Sequence, residues 1–322
     1  MMKKLLSVLM ILIVAILSKP FYASAESLTV NIVPVEKGVN TQQQEKVIKS
    51  IDVDTGFLNN IIELDENGIL RQWNNLNSDH KINEVIFVDD FKWASNIISP
   101  NKVIGSDGRK LVQNIGITPY KQTVYINQYY LSLDSKLYVY RCSGAVVPKN
   151  LGGSRILTAA HCLYKLDDEK LIEGHPVGVS VFTGYNNGNY DEVSSATSIK
   201  LPAEYINTLA NQYDFGVIDL ADDLSSRVGV LDLEVATNRN VKIGGYPADL
   251  GQRQYIMSGP ATLESNGRLH YTIDTFGGQS GAPILDNVNN RIIGVHSAGY
   301  RDLDLNLGAA LDSIKILFIK SP

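Results

Sequence analysis

Apolar and polar positions divide the 322-residue chain into three textures. The first is short. Lys3 and Lys4 precede an apolar-rich run from Leu5 to Leu17, in which only Ser7 is polar. Lys19-Pro20 and then Ala23-Ser24-Ala25 follow, so the stretch has the basic, apolar and small-residue parts of a secretory signal peptide, residues 1–25. A run of about 13 residues falls short of the roughly 20 needed to cross a bilayer, which disfavours a membrane anchor. The second texture, residues 26–102, is polar and rich in Asn, Glu and Ile, with a helix-like stretch over Gln42–Ile51. It holds both tryptophans, Trp73 and Trp93, and ends in Ser99-Pro100-Asn101-Lys102, which reads as an exposed linker.

From Val103 onward, runs of β-branched and aromatic residues recur between Gly, Asn, Asp and Pro. They predict strands over Thr123–Leu131, Leu137–Val147, Val177–Tyr185, Val241–Tyr246, Leu269–Thr275 and Arg291–His296. Short strands at this spacing argue for an all-β sandwich or barrel. One helical pattern closes the chain, with Leu311, Ile314, Leu317 and Phe318 on one face. There is no internal repeat, low-complexity tract or long charge run.

Composition narrows the function classes. With 20% charged and 44% hydrophobic residues, the chain is an ordinary globular protein. Its net charge of −5 argues against a nucleic-acid partner. Once the signal is removed, no membrane partner is expected either, and the expected state is a monomer. Export leads to an oxidising compartment, where the two cysteines can pair. A Cys142–Cys162 link would join residues 20 apart. By loop entropy, such a link stabilises by roughly 3 kcal/mol.

Three segments carry candidate chemistry. In Leu157-Thr158-Ala159-Ala160-His161-Cys162, a histidine follows an apolar strand and a small-residue turn. In Tyr213-Asp214-Phe215-Gly216-Val217-Ile218, an acid opens an apolar strand, a place Asp normally avoids, and it can orient an imidazole through Nδ1–H. In Asp274-Thr275-Phe276-Gly277-Gly278-Gln279-Ser280-Gly281-Ala282-Pro283, a serine lies between glycines. There the N–H groups of Gly278 and Ser280 can converge as an oxyanion hole. The α/β-hydrolase elbow would need glycine at position 282, where this chain has Ala282.

The order His161, Asp214, Ser280 is that of chymotrypsin. With these motifs, residues 103–322 resemble the chymotrypsin superfamily and, more closely, the secreted bacterial glutamyl endopeptidases. Val103-Ile104-Gly105-Ser106-Asp107-Gly108-Arg109 is similar to that family's mature N-terminus, and Gly244-Gly245-Tyr246-Pro247 and Gly294-Val295-His296-Ser297-Ala298-Gly299-Tyr300 also fit. The resemblance implies two six-stranded antiparallel β-barrels with a C-terminal helix. It also implies a triad of His161, Asp214 and Ser280 acting through an acyl-enzyme, with no metal or organic cofactor. Thr275, His296, Ser297, Gly299 and the freed amine of Val103 would line the pocket for a substrate glutamate. Residues 26–102 would be a propeptide, removed by an activating protease that cuts near Lys102-Val103.

Two further positions bear on specificity and activation. Asp274 lies six residues before Ser280, where trypsin-like enzymes hold the acid that binds Lys or Arg, so cleavage after Lys or Arg is the alternative specificity. Gln279 stands where pancreatic enzymes keep the Asp that receives the new N-terminus. A binding or toxin-like module without catalysis is a third reading, disfavoured by the complete triad and by Gly278. Asp167, Asp168 and Glu169 form an acidic cluster that reads more simply as a solvated loop than as a calcium site.

Overall fold

The computed structural model describes residues 27–31, 46–49, 61–64, 84–88, 98–99, 103–134, 136–167, 172–300 and 303–322. The signal peptide, both tryptophans, Lys102, Asp168 and Glu169 lie outside them.

Twelve strands form two closed barrels. The first contains β1 (Thr123–Leu131), β2 (Lys136–Pro148), β3 (Ser154–Thr158), β4 (Gly178–Thr183), β5 (Glu192–Pro202) and β6 (Gly216–Leu220). They pair in the order β5-β4-β1-β2-β3-β6, and β5–β6 pairing closes the ring. The second contains β7 (Arg239–Gly245), β8 (Tyr255–Leu263), β9 (Arg268–Tyr271), β10 (Pro283–Asp286), β11 (Ile292–Tyr300) and β12 (Asn306–Ala310). Its order is β7-β10-β11-β12-β9-β8, closed by β7–β8. Closure removes the unpaired edges that an open sheet would expose. This is the expected all-β, two-barrel fold.

The first barrel's core runs on into the second through Leu285, Ile292, Val295 and Ala309, and the second barrel holds a further cluster of its own. Val124, Ile126, Val146, Ile156, Val181, Ile199 and Val217 are among those in the first core, and Val241, Ile243, Leu269, Ile284 and Ile293 among those in the second. β1 is buried along nearly its whole length. Val124 and Ile126 belong to the first core, while Tyr125, between them on the other face, joins Phe182, Tyr185 and Tyr246. Tyr125 stacks on Tyr185 at 4.0 Å and meets Tyr246 of the second barrel edge-on.

Residues before Val103 add strands to both barrels. Ser27–Asn31 pairs with β5, Glu84–Val88 runs parallel to the start of β2, and Ile98–Ser99 pairs with Gly299–Tyr300. Ile86 and Val88 pack on the Tyr130, Tyr138 and Tyr140 cluster.

Three sequence expectations change. The helix-like stretch contains a strand, Lys46–Lys49, paired with Ile61–Leu64. Its Val-Ile centre suits a pleated strand better than a helix. The strand expected over Leu269–Thr275 stops at Tyr271, because the side chain of Asn306 takes the Ile273 carbonyl at 2.8 Å and the chain turns away. The C-terminal helix, Ser313–Lys320, forms, and Leu311 and Phe318 reach the core, but the other two residues of the expected face turn outward. Ile314 and Leu317 are 72% and 65% exposed, whereas Lys315 and Ile319 are buried. Polar anchors set this rotation. Arg155, buried and forked onto Asp219, donates to the carbonyls of Ile319 and Ser321, and Lys315 donates to the Ala310 carbonyl.

Candidate active site

His161 lies on the one-turn 3-10 helix Ala160–Cys162 that follows β3. Asp214 ends another such turn, Asn211–Tyr213, just before β6. Pairing of β6 with β3 places Gly216 opposite Thr158, which brings the two turns together. Asp214 then accepts three hydrogen bonds. The His161 backbone N–H reaches Oδ1 at 2.8 Å, the His161 ring Nδ1 lies 2.7 Å from Oδ2, and the Ser297 hydroxyl donates to Oδ2. Asn211 donates to the Ser297 oxygen at 3.1 Å and so orients that hydroxyl. Burial alone would push the Asp214 carboxyl up. The His161 charge and the three hydrogen bonds outweigh burial and hold it below the ordinary carboxylate range.

Ser280 belongs to the loop between β9 and β10. Two left-handed glycines shape it. Gly278 has φ +91°, and a Cβ there would stand 2.5 Å from the Tyr246 carbonyl. Gly281 has φ +81°, and a Cβ would lie 2.1 Å from the Thr158 hydroxyl. Neither position has room for a side chain. The Gly277 carbonyl accepts from Ala248 N–H at 2.8 Å, and Gln279 N–H donates to the Phe276 carbonyl at 3.0 Å. Because a trans peptide points its C=O and N–H in opposite directions, the Gly278 N–H is turned away from Ala248.

Ser143 ties this loop to the first barrel, and nothing in the sequence pattern marks it. Its N–H donates to the Ser280 carbonyl at 2.8 Å, its hydroxyl donates to the Gly278 carbonyl at 2.8 Å, and it accepts from Tyr246 N–H. Cys142, the preceding residue, is disulfide-bonded to Cys162, the residue after His161. One covalent link therefore joins the strand that holds Ser280 to the turn that holds His161.

The expected pocket residues fall out as follows. Thr275 is fully buried, and its hydroxyl has no hydrogen-bond partner. His296 is also fully buried, with Nδ1 2.6 Å from the Tyr271 hydroxyl. Burial pushes the His296 imidazole down to about 3, helped by the nearby His161 charge. Burial also keeps Tyr271 protonated, so its hydroxyl donates to Nδ1. The Ser297 side chain donates its hydroxyl to Asp214. Gly299 is buried and pairs with Asn306 and with Ser99. Val103 is partly exposed, and the next residue, Ile104, donates its N–H to Asp274. Both carboxylate oxygens of Asp274 are occupied, Oδ1 by Ile104 N–H and Oδ2 by Gly108 N–H, each at 2.7 Å.

Among the described residues, the group of metal-ligand type is Cys142, His161 and Cys162. Two of these atoms are sulfurs of the disulfide and cannot act as thiolate ligands.

Residues 142–295 match the family described as a trypsin-like peptidase domain. A glutamyl endopeptidase of Bacillus licheniformis is 30% identical over 200 residues, covering 60% of this chain and 57% of that protein. An extracellular metalloprotease of Bacillus subtilis is 26% identical over 213 residues, covering 63% of this chain and 64% of that protein. The chain thus spans less than two thirds of these curated relatives. A solved structure of a Glu endopeptidase in complex with MPD superposes with TM-score 0.57 and 33% identity, covering 68% of this chain and 97% of that one.

Proposed function

The chain belongs to the trypsin-like serine peptidases, in the group that includes the glutamyl endopeptidases, and we propose that it is a secreted serine endopeptidase that cuts after glutamate. The observation that carries the catalytic part is the buried couple of His161 and Asp214, joined through Cys162 and Cys142 to the strand that holds Ser280. With Nδ1 held by Asp214, Nε2 is the ring nitrogen that takes the Ser280 proton. Ser280 Oγ attacks the scissile carbonyl, and the oxyanion that forms is met by the N–H groups of Gly278 and Ser280. His161 returns the proton to the leaving amine as the C–N bond breaks. Water then attacks the acyl-enzyme, giving its proton to His161, which passes it to Ser280 Oγ as the ester bond breaks.

Thr275 supports the preference for glutamate. A buried hydroxyl without a partner costs about 1–3 kcal/mol, and a substrate carboxylate would remove that cost. His296 would line the pocket as a neutral ring, with Nδ1 accepting from Tyr271 and a further hydrogen bond to the Leu307 backbone. The positive charge would come from the freed amine of Val103. Cleavage after Lys or Arg would require a free carboxylate at Asp274, and backbone N–H groups already hold both of its oxygens.

Residues 1–25 would be the signal peptide and 26–102 the prosegment. Pairing of Ile98–Ser99 with Gly299–Tyr300 supports a zymogen, because an extended substrate would compete for the same strand edge. The test is a peptide panel varying only the residue before the scissile bond, cut by enzyme trimmed to Val103. Cleavage after Glu is expected, absent in Ser280→Ala. Thr275→Val should raise KM about tenfold with kcat little changed, the signature of lost ground-state binding. Cleavage after Lys or Arg would overturn the specificity, and full activity in Ser280→Ala would overturn the mechanism.

A further inference from the structure

The segment after Val103 grips the Ser280 loop at two places, and neither grip uses the α-amine. At the first, Asp274 accepts the N–H groups of Ile104 and Gly108, pinning the segment at two points with one carboxylate. Gly108 allows the approach, since a Cβ there would stand 3.0 Å from the Met257 methyl carbon. At the second, the Arg109 side chain is buried between two carboxylates. It is forked onto Asp107 through Nε and Nη2, at 3.0 and 2.8 Å. It is forked onto Asp249 through Nη1 and Nη2, at 3.1 and 2.6 Å.

The same guanidinium reaches the nucleophile loop. Its Nη1 lies 3.5 Å from Gln279 Oε1, and its carbon sits 5.9 Å from the Phe276 ring centre. Gln279 Oε1 also accepts Phe276 N–H at 3.0 Å. Asp249 belongs to the turn Ala248–Leu250, whose first N–H holds the Gly277 carbonyl. Arg109 therefore closes a ring of contacts around residues 276–279, the stretch that aims the Gly278 and Ser280 N–H groups.

We propose that Asp274 and Arg109 are two positioning residues with divided effects: Asp274 seats the segment after Val103 against the substrate pocket, and Arg109 is a built-in cation that sets the nucleophile loop. The proposal rests on the reading of Ser280 as nucleophile. In pancreatic enzymes, cleavage supplies the cation next to the residue before the nucleophile. Here Arg109 is present before any cleavage, which leaves the Val103 amine for the substrate.

The test compares trimmed wild-type enzyme with Asp274→Asn, Arg109→Gln and Arg109→Lys. It measures kcat and KM on a Glu peptide and the rate at which a fluorophosphonate labels Ser280. Asp274→Asn should raise KM about tenfold while kcat and labelling stay within about threefold, because the loss falls on the pocket. Arg109→Gln should cut kcat and labelling about tenfold or more at nearly constant KM, since small misplacement of oxyanion donors is costly. Arg109→Lys should recover part of the loss, because one ammonium keeps the charge but cannot make two forks. It also serves where the Gln variant does not fold. A role in stability alone would move kcat and KM together, or leave both unchanged once the variants fold, and either result overturns the division. If wild-type enzyme never labels, the nucleophile reading fails first and the clamp falls with it.

Discussion

Asp214 in the first barrel and Asp274 in the second are both carboxylates shut away from water, at 0% and 1% exposure. Each meets the cost of burial with hydrogen bonds, as a buried charge must. The donors differ in kind. Asp214 receives a backbone N–H, a hydroxyl and an imidazole. The imidazole can gain and lose a proton, so the field at Asp214 acts on a group that can change charge. Asp274 receives two peptide N–H groups from residues 104 and 108. Peptide donors do not titrate, so Asp274 can only fix where a segment lies. Two acids alike in sequence and burial thus support different work, and their donors tell them apart.

The largest test of this contrast exchanges each acid for its amide. Asp214→Asn should lower kcat by about 10⁴, because an amide can pair with the wrong imidazole tautomer and no longer stabilises the charged ring. Asp274→Asn should leave kcat within a few-fold. Equal losses in kcat from the two variants would erase the distinction between a responsive and a static carboxylate.

A smaller effect isolates one donor. Ser297→Ala removes the hydroxyl from Asp214 but leaves both His161 contacts. A hydrogen bond to a charged group is worth about 1.5–3 kcal/mol, so kcat should fall about tenfold to hundredfold. KM should change little if the Ser297 side chain has no part in the pocket. A rise in KM at constant kcat would return Ser297 to the substrate.

The strands and the segments around His161, Asp214 and Ser280 were legible in the sequence because they are local. Alternation, glycine spacing and chain order all lie within a few neighbouring residues. What was not legible depends on contacts between distant parts of the chain. The direction of Asp274 is decided by Ile104, 170 residues away. Ser143 looks like any strand serine until the second barrel closes on it. Arg109 stands out in the sequence only within a resemblance at the N-terminus, and its reach to Gln279 is again a separation of 170 residues. The C-terminal helix failed differently. Its apolar count favoured Ile314 and Leu317, but Arg155 and Lys315 fixed the rotation through backbone carbonyls. One-dimensional patterns weigh apolar side chains and are blind to such anchors.

The last effect concerns acid stability, and it adds a third buried group to the two carboxylates. His296 takes up a proton at about pH 3 when folded, against 6.5 for an ordinary imidazole. The unfolded chain therefore binds one more proton than the folded one between those values. Stability from this group is complete above about pH 6.5 and drains away as pH falls to about 3. The slope approaches about 1.4 kcal/mol per pH unit. Asp214 acts in the same direction at lower pH, since its folded carboxyl lies below 3.8 and its contribution is lost only as pH falls through that range. His175 and His270 are also lowered and add a weaker slope in the upper window. His296→Gln keeps an acceptor for Tyr271 but cannot titrate. Denaturant unfolding from pH 7 to 4 should show a shallower loss in this variant, with the steep fall below pH 4 retained. If the two proteins lose stability in parallel from pH 7 to 4, His296 is charged in the folded state, and a neutral ring at that buried position is no longer tenable.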